Sequence, residues 1–263
     1  MSAAQRANRV VTFSAAGPQP IDGIVPDIWA NDITASTECL TFLAHTPKGE
    51  QRIQVGIGGD FNIENALAAL AAAELCGASL KEIGSGLANT TVPGRMKIVE
   101  SADKRITAIV DYAHNELSFT KLFAFLKKQF PEHVWVSVFG VPGDKAEKRR
   151  QQLPGIAAEY CDHIIFTEDD PGHERVEDIC ADLARHLPSG TSYEIVPDRA
   201  AAIQHAISWI DAHAGDDCRA ILAVLGKGQE ATQHRGSEFI TTTPDQQVID
   251  HVLATRQAHR ATL

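Results

Sequence analysis

The pattern of apolar and polar residues divides the chain into two parts with different periods. In the first part, β-branched or alternating segments predict strands at residues 9–13, 27–33, 39–44 and 52–57, with a Pro-Lys-Gly turn at 47–49. The period then becomes helical over 61–76, where Asp60 is the predicted N-cap and Gly77 the end, and a short helix follows at 80–87. Pro93 and Gly94 interrupt the pattern, so we place a domain boundary there, between residues 1–92 and 93–263.

From residue 105 onward, apolar runs alternate with helical segments. Strands are predicted at 106–110, 134–139, 163–166, 193–196 and 220–225. Helices are predicted at 118–129, 150–160, 176–187 and 199–212, with a last one at 244–256 behind a Thr-Pro-Asp-Gln capping box. This alternation is typical of an α/β fold with a mostly parallel, doubly wound sheet.

Composition narrows the possible classes of protein. The chain has 263 residues, 44% of them hydrophobic, which is enough for a sizeable core. A net charge of −10 argues against nonspecific nucleic-acid binding. Five scattered cysteines without a C-x-x-C pair predict neither a zinc site nor disulfides and favour a reducing cytoplasm. We also expect no signal peptide, no membrane span and no histidine metal site, because no H-E-x-x-H spacing occurs.

Four of the five predicted strands in the second part end in clustered polar, charged or glycine residues. Ligands of open parallel sheets bind beyond the carboxyl ends of the strands. A rim of carboxylates, lysine and backbone amides suits a small zwitterionic ligand, although loops are polar in most proteins. The charged run at 144–150 is more typical of a solvated helix face. These strand ends read DYAHN at 111–115, GVPGDK at 140–145, TEDDP at 167–171 and GKGQE at 226–230.

Several single residues have both a binding and a structural interpretation. Asn62 and Asn65 share a helix face and offer amides that read a base edge, or they form a polar pair at a helix start. Arg95 follows Gly94 and can reach a phosphate, or it is a surface arginine. Asp111 can bind ribose or a metal, and His114 can contact a nucleotide or cap a helix.

Five motifs in this order resemble the Mur ligase family: F-N-x-x-N at 61–65, V-P-G-R-M at 92–96, D-Y-A-H at 111–114, D-D-P at 169–171 and G-K-G-x-E at 226–230. The most similar subtype is the UDP-N-acetylmuramoyl-dipeptide:amino-acid ligase, which adds the third residue. The resemblance runs from about residue 9 to 256 and covers only the later half of a typical member. It implies that residues 1–92 are the C-terminal part of the central ATPase domain and that 93–263 are the Rossmann-like C-terminal domain.

The resemblance also implies an activity and a set of site residues. Such an enzyme joins an amino acid to a UDP-N-acetylmuramoyl peptide in peptidoglycan synthesis, through an acyl phosphate and with ATP and Mg²⁺. Arg95 and Asp111 are the implied catalytic residues, near the phosphates and the ribose. The implied nucleotide-binding set is Asn62, Asn65, Arg95, Asp111, Tyr112 and His114. The implied amino-acid-binding set is Lys145, Asp169, Asp170, Gly226 and Glu230.

The chain departs from the family pattern in four places. It contains no G-x-x-x-x-G-K-[ST] loop, so we expect the isolated chain to be an incomplete ligase that needs a P-loop half, either on the same polypeptide or on a partner chain. Gln229 replaces the usual histidine of G-K-G-H-E, and Lys145 replaces an arginine after G-D. Gly172 stands where diaminopimelate-adding members have the arginine of D-N-P-R, which favours lysine or ornithine over diaminopimelate as the added amino acid.

Other functions remain open from the sequence. A folylpolyglutamate or cyanophycin type of ligase would share the same core. A free-standing paralogue would bind nucleotide or a wall precursor without turnover. Gly226-x-Gly228-x-x-Ala231 loosely fits a dinucleotide fingerprint, but no β-α-β unit follows it, so a nicotinamide-binding domain is the least favoured alternative.

Overall fold

The computed structural model describes residues 10–215 and 218–260, which form two compact units, residues 1–92 and residues 93–263. Residue 9, where the first predicted strand begins, lies outside the described residues. Within the described part, no helix has the length and apolar character needed to cross a membrane.

The first unit contains a four-stranded sheet in the order β1-β2-β3-β4. β1 pairs with β2 in parallel, and the other pairs are antiparallel. Its strands are β1 (Phe13–Ser14), β2 (Ile28–Ala35), β3 (Leu40–Thr46) and β4 (Gly49–Val55). β4 begins three residues before its predicted start, because Thr46 pairs directly with Gly49 across a tight turn.

Two helices follow the sheet: α1 (Ile63–Leu75) and α2 (Leu80–Ala88). Leu67 and Leu70 of α1 are fully buried in the same core as Phe42 of β3. The prediction of Asp60 as N-cap is wrong, since a 3-10 turn at Asp60–Asn62 precedes the helix. As predicted, α1 ends before Gly77, whose φ of 97° is a conformation that glycine adopts without strain.

The second unit contains a six-stranded sheet in the order β5-β6-β10-β7-β8-β9. β5 is antiparallel to β6, and the other five strands are parallel, which confirms the predicted mostly parallel α/β sheet. The strands are β5 (Lys97–Glu100), β6 (Ile106–Asp111), β7 (Val134–Phe139), β8 (His163–Phe166), β9 (Tyr193–Ile195) and β10 (Ala220–Leu225). The helices are α3 (Glu116–Gln129), α4 (Glu147–Tyr160), α5 (Val176–Arg185), α6 (Arg199–His213) and α7 (Asp245–Arg260).

Helices cover both faces of this sheet, which explains why the central strands are continuous apolar runs. Every residue of β6 and of β10 is buried. On one face, residues of α6 and α7 such as Ile203 and Ile249 share a core with alternate strand residues. On the other face, Phe119 of α3 contacts Phe139 of β7 edge-on, at 5.1 Å between ring centroids.

The sequence pattern did not reveal three short strands of this unit. β5 has only four residues, and both of its ends are exposed. A separate antiparallel hairpin consists of β11 (Thr232–Arg235) and β12 (Glu238–Thr241). These strands are largely polar or exposed, so they lack the apolar alternation by which strands are recognised.

Candidate functional site

A cavity of about 370 Å³ opens at the carboxyl ends of β6, β7, β8 and β10. All five residues that the sequence analysis assigned to an amino acid line it, and Tyr112 and His114, which were assigned to a nucleotide, line it too. The lining residues are Tyr112, His114, Pro142, Lys145, Ala146, Arg149, Asp169, Asp170, Gly226 and Glu230. The parallel topology brings them together, because the ends of neighbouring parallel strands meet at one edge of the sheet.

Lys227 forms ion pairs with two of the three carboxylates in this cavity. Its Nζ lies 2.7 Å from Asp170 Oδ1 and 2.8 Å from Glu230 Oε2, and its side chain is 3% exposed. Burial opposes the charged ammonium, but the hydrogen bonds with Asp170 and Glu230 outweigh it and raise the pKa of Lys227. Lys227 therefore acts as an internal counter-ion. Lys227 lies within the G-K-G-x-E motif, but the motif alone does not indicate this role.

Asp169 is the third carboxylate, and it has a different environment. It is 6% exposed, and no hydrogen bond to its side chain is present among the described residues. Burial raises its pKa to about 6, although the positive charges of Arg199 and Lys227 act in the opposite direction. A Cβ on Gly226 would lie 2.6 Å from Asp169 Oδ2, so glycine is needed there for the carboxylate to stand against the end of β10.

Lys145 and Arg149 supply the positive charge of the cavity. Neither forms an ion pair with another residue of the described chain. Lys145 is exposed, and Arg149 is partly buried in the first turn of α4. From the sequence, Arg149 was expected to belong to a solvated charged helix face. Nothing in the local sequence distinguishes it from Lys148, which is exposed and does not line the cavity.

The loop before α4, which carries Lys145, is held by Glu174 from the loop that follows β8. Glu174 Oε1 accepts a hydrogen bond of 2.6 Å from the backbone N–H of Asp144. The same carboxylate binds Arg150 through two hydrogen bonds of 2.7 and 2.9 Å. A side chain on Gly143 would collide with the carbonyl of Pro171, so the two loops touch through their backbones.

Tyr112 links the cavity to Arg95. Its hydroxyl forms a hydrogen bond with Glu230, which is the main cause of its raised pKa. The guanidinium of Arg95 lies 4.9 Å from the centre of the Tyr112 ring, within cation–π range. His114 donates from Nδ1 to the carbonyl oxygen of Tyr112 at 2.7 Å, since a carbonyl oxygen only accepts. The Nε2 of a neutral His114 ring is then an acceptor.

Asp111 is engaged by backbone groups. Oδ2 accepts from the N–H of Met96 and Oδ1 from the N–H of Ala113, each at 2.8 Å, and the residue is 3% exposed. Burial raises the pKa of Asp111, while these two hydrogen bonds and the charge of Arg95 oppose the rise. Asp111 thereby fastens the turn that carries Arg95 to the end of β6.

Two glycines allow this turn to pack on the loop after β10. A Cβ on Gly94, which has a φ of 70°, would collide with the backbone N–H of Gln229. A Cβ on Gly228, with a φ of 58°, would lie 2.8 Å from the carbonyl oxygen of Gly94. The P-G-R and G-K-G motifs therefore share one structural requirement, a close approach of two backbones.

Arg199 connects the ends of two strands that border the site, and no sequence motif indicates it. It binds Asp245 through Nε and one terminal nitrogen at 2.7 and 2.8 Å, and the pair is almost fully buried. It also donates to the carbonyl oxygens of Leu225 and Glu168, at 2.9 and 3.3 Å, at the ends of β10 and β8. The partners are 46 residues apart, so no local pattern indicates them.

The β11–β12 hairpin holds the loop after β8 in place. Arg235 grips the buried Glu168 through hydrogen bonds of 2.6 to 3.0 Å. Gln233 Oε1 accepts from the N–H of Asp170 at 2.7 Å, and Asp170 Oδ1 accepts from the N–H of His234 at 2.9 Å. The hairpin therefore helps to orient the segment that contains Asp169.

Asn62 and Asn65 belong to the first unit. Asn62 donates to the carbonyl oxygen of Gly58 at 2.7 Å, and Asn65 donates to Asn62 Oδ1 at 3.2 Å. Asn65 also lines an open cavity of about 510 Å³ together with Phe13 and Ile21. Across the described residues of both units, no group of three His, Cys, Asp or Glu side chains is arranged to hold a metal ion.

Comparisons with known proteins agree with this architecture. Residues 94–228 match the family model of the Mur ligase, glutamate ligase domain, and residues 1–73 match the Mur ligase middle domain. The UDP-N-acetylmuramoyl-L-alanyl-D-glutamate–L-lysine ligase of Enterococcus faecalis is 34% identical over 221 residues, 82% of this chain and 42% of the relative. The corresponding 2,6-diaminopimelate ligase of Trichormus variabilis is 33% identical over 216 residues, 81% of this chain and 42% of the relative.

Solved structures of ligases are also similar to this chain. A UDP-N-acetylmuramoyl-L-alanyl-D-glutamate–2,6-diaminopimelate ligase is similar with a TM-score of 0.54 and 26% identity, covering 97% of this chain and 50% of that one. Mycobacterium tuberculosis folylpolyglutamate synthase, complexed with ADP and AMPPCP, shares the fold with a TM-score of 0.65 and 23% identity, over 76% of this chain and 45% of that one. The chain spans 42% of the length of these curated relatives. With more than half of its length matched by the two domain models, the chain belongs to the Mur ligase family.

Proposed function

We propose that this chain forms the amino-acid-binding part of an ATP-dependent carboxylate–amine ligase that extends a UDP-N-acetylmuramoyl peptide in peptidoglycan synthesis. In this proposal, residues 1–92 belong to the middle domain and residues 93–263 form the C-terminal domain. The relatives named above, which add L-lysine or diaminopimelate, support it. The observation that carries it is the cavity of the second unit, where one unpaired carboxylate and two unpaired cations suit a zwitterionic amino acid.

Asp169 is the residue that we assign to the incoming amine. An amine attacks a carbonyl only after it has lost its proton, and a carboxylate with a pKa near 6 can both bind an ammonium group and accept its proton. Lys145 or Arg149 would hold the α-carboxylate, which fixes the amine on the side of Asp169. We assign Asp170, Gly226 and Glu230, which also line the cavity, to the same amino acid.

We propose that ATP, when bound, supplies the phosphoryl group that activates the peptide carboxylate. The Phe13 and Ile21 side chains beside the amide of Asn65 offer a base an apolar surface with a donor and an acceptor, and we assign Asn62 to the same region. In the second unit, Arg95 is exposed and suits a phosphate.

Asp111 acts in this proposal by positioning Arg95, because both of its oxygens already accept backbone hydrogen bonds. The guanidinium of Arg95 lies over the Tyr112 ring, and Tyr112 and His114 line the amino-acid cavity, so we assign these two residues to both ligands. The P-loop and most of the Mg²⁺ coordination belong to a part of the ligase that these 263 residues do not contain, on the same polypeptide or on a partner chain. We expect these residues alone to bind ligand without completing ligation.

Calorimetric titration of the chain with free amino acids, ATP and NAD tests the proposal. We expect an amino acid to bind, and Asp169→Asn to abolish the binding. The control Asp250→Asn, at an exposed position of α7, leaves it unchanged. Tight binding of ATP with no binding of any amino acid would favour a nucleotide-binding paralogue instead. Binding of NAD alone would favour a nicotinamide-binding domain.

Ligation itself is tested after recombination with the missing half. We would express the P-loop half of the Enterococcus faecalis L-lysine ligase, mix it with this chain, and measure ADP release that depends on both the peptide precursor and an amino acid. Arg95→Ala should reduce turnover more than it reduces amino-acid affinity. An equal loss of both would contradict a phosphate role for Arg95.

A further inference from the structure

We propose that Lys227 is a positioning residue for the ligation: its buried ammonium joins the loops after β8 and β10 and keeps the carboxylate of Asp169 ionised for the incoming amine. Lys227 is not among the residues that line the cavity, so it acts through Asp169. The inference rests on the proposed function, in which Asp169 binds the amine and accepts its proton.

Lys227 is enclosed between the two loops. Its side chain is 3% exposed, and its Nζ lies 2.7 Å from Asp170 Oδ1 and 2.8 Å from Glu230 Oε2. The preceding residue, Gly226, has a φ of 106°, and a Cβ there would lie 2.6 Å from Asp169 Oδ2. Lys227 therefore ties the loop that carries Asp169 to the loop against which the Asp169 carboxylate packs.

Three carboxylates line this one cavity, and like charges at close range oppose ionisation. Two of them have a hydrogen-bond donor besides the buried lysine. The backbone N–H of His234 donates to Asp170 Oδ1 at 2.9 Å. The Tyr112 hydroxyl forms a hydrogen bond with Glu230. Asp169 has no such donor among the described residues, so it is the carboxylate that takes up a proton if the buried cation is lost.

Charges act on Asp169 from several elements. Burial is the main cause of its raised pKa of about 6, and the positive charges of Arg199 and Lys227 oppose the rise. Arg199 already pairs with Asp245 at 2.7 Å. The groups that act on the Asp169 carboxylate or line the cavity with it are Arg199 of α6, Asp170 of its own loop, Lys227 and Glu230 after β10, Tyr112 and His114 after β6, and Lys145 and Arg149 at the start of α4.

Loss of the Lys227 charge should shift the protonation of Asp169 in a known direction. Lys227→Met removes a positive charge and leaves the negative charges of Asp170 and Glu230 without their shared partner, and both changes favour the protonated form of Asp169. A neutral carboxyl neither attracts an ammonium group nor accepts its proton. The variant should therefore need a higher pH for the same amino-acid binding.

An NMR titration of the full chain, isotope-labelled at the side-chain carboxyl carbon of aspartate, measures this protonation directly. Asp169→Asn identifies the resonance, which should titrate near pH 6 in the parent, as the pKa of about 6 requires. Lys227→Met should raise the midpoint by about one pH unit or more. Lys227→Arg, which keeps the charge, should stay close to the parent, and the control Lys148→Met, at an exposed position, should change nothing.

A second variant keeps the inference testable if Lys227→Met fails to fold. Glu230→Gln removes one negative charge and leaves Lys227 with Asp170 as its remaining ion-pair partner in the described chain. The midpoint of Asp169 should then fall below that of the parent. An unchanged midpoint in both variants, or in Glu230→Gln alone if the other does not fold, would overturn the inference.

Calorimetric titrations with L-lysine and meso-diaminopimelate across the same pH range connect this protonation with binding. In the parent, affinity should weaken as pH falls through the midpoint of Asp169, and in Lys227→Met this decline should move to higher pH together with the midpoint. A loss of affinity that is the same at every pH, with Asp169 unmoved, would mean that Lys227 only holds the loops, and would overturn the inference while the proposed function stands. Failure of both amino acids to bind the parent would overturn the proposed function, and with it the role of Lys227 in ligation.

Discussion

Replacing Asp169 by asparagine should stabilise the folded chain at neutral pH, because the native carboxylate is charged at a cost. Burial raises its pKa from the ordinary 3.8 to about 6. The folded chain therefore keeps the proton over a range in which the unfolded chain has released it, so this residue makes stability fall as pH rises from about 4 to about 6. The difference corresponds to about 3 kcal/mol above pH 6.

The assay compares the two proteins at pH 4.5 and pH 7.5 by urea unfolding. A Trp29→Phe background leaves Trp135 and Trp209 as fluorescent reporters of the second unit. We expect the stability of Asp169→Asn relative to its parent to increase by about 2 kcal/mol between the two pH values. Asp250→Asn, at an exposed position, should show no such change.

Two results would refute the reasoning about Asp169. A stability difference that is the same at both pH values would mean that burial does not control its protonation. A difference that becomes smaller at pH 7.5 would mean that the folded chain prefers the charged carboxylate, and hence that a cation pairs with it closely. The expected gain in stability should accompany the loss of amino-acid binding, as is common for groups retained for function.

Three further substitutions test the packing around the site and in the first unit, each by urea unfolding at pH 7.5. Gly94→Ala should lower the free energy of unfolding by at least about 1–3 kcal/mol, since it combines a positive φ with a backbone collision. The control Gly155→Ala, inside α4 and with open space around it, should raise the free energy of unfolding by about 0.5–1 kcal/mol. Arg199→Ala should lower the free energy of unfolding by about 3–5 kcal/mol, because it leaves the carboxylate of Asp245 buried without a partner. The double variant Arg199→Ala/Asp245→Ala should recover part of this loss. Ser79→Ala should cost about 1 kcal/mol by removing the capping box of α2.

Most strands and helices of the second unit were predictable because buried segments consist mainly of apolar residues, which are visible in the sequence. Strands such as β7, β8 and β10 are buried between two layers of helices, so they are almost entirely apolar, with Ser137 and His163 as the polar exceptions. β5 and the β11–β12 hairpin were not predictable. They are short, and their pairing satisfies backbone hydrogen bonds without an apolar period.

The site was predictable only in part, for a related reason. Asp169, Asp170, Gly226 and Glu230 could be selected because they follow apolar strands at an edge where ligands bind. Arg149 could not be selected from the sequence. It and Lys148 are neighbouring basic residues in the first turn of α4, and only the orientation of that turn decides that Arg149 lines the cavity while Lys148 is exposed.

The sequence by itself determined the alternation of strands and helices, the edge of the sheet that carries polar residues, and the motifs of the family. Tertiary structure alone decided which charges remain available to a ligand. Asp170 and Glu230 share an ion pair with Lys227, while Asp169, Lys145 and Arg149 line the same cavity without an ion-pair partner in the described chain. The physical reason is that charge pairing and burial depend on distances between separate loops, which the fold sets and which no local pattern of residues contains.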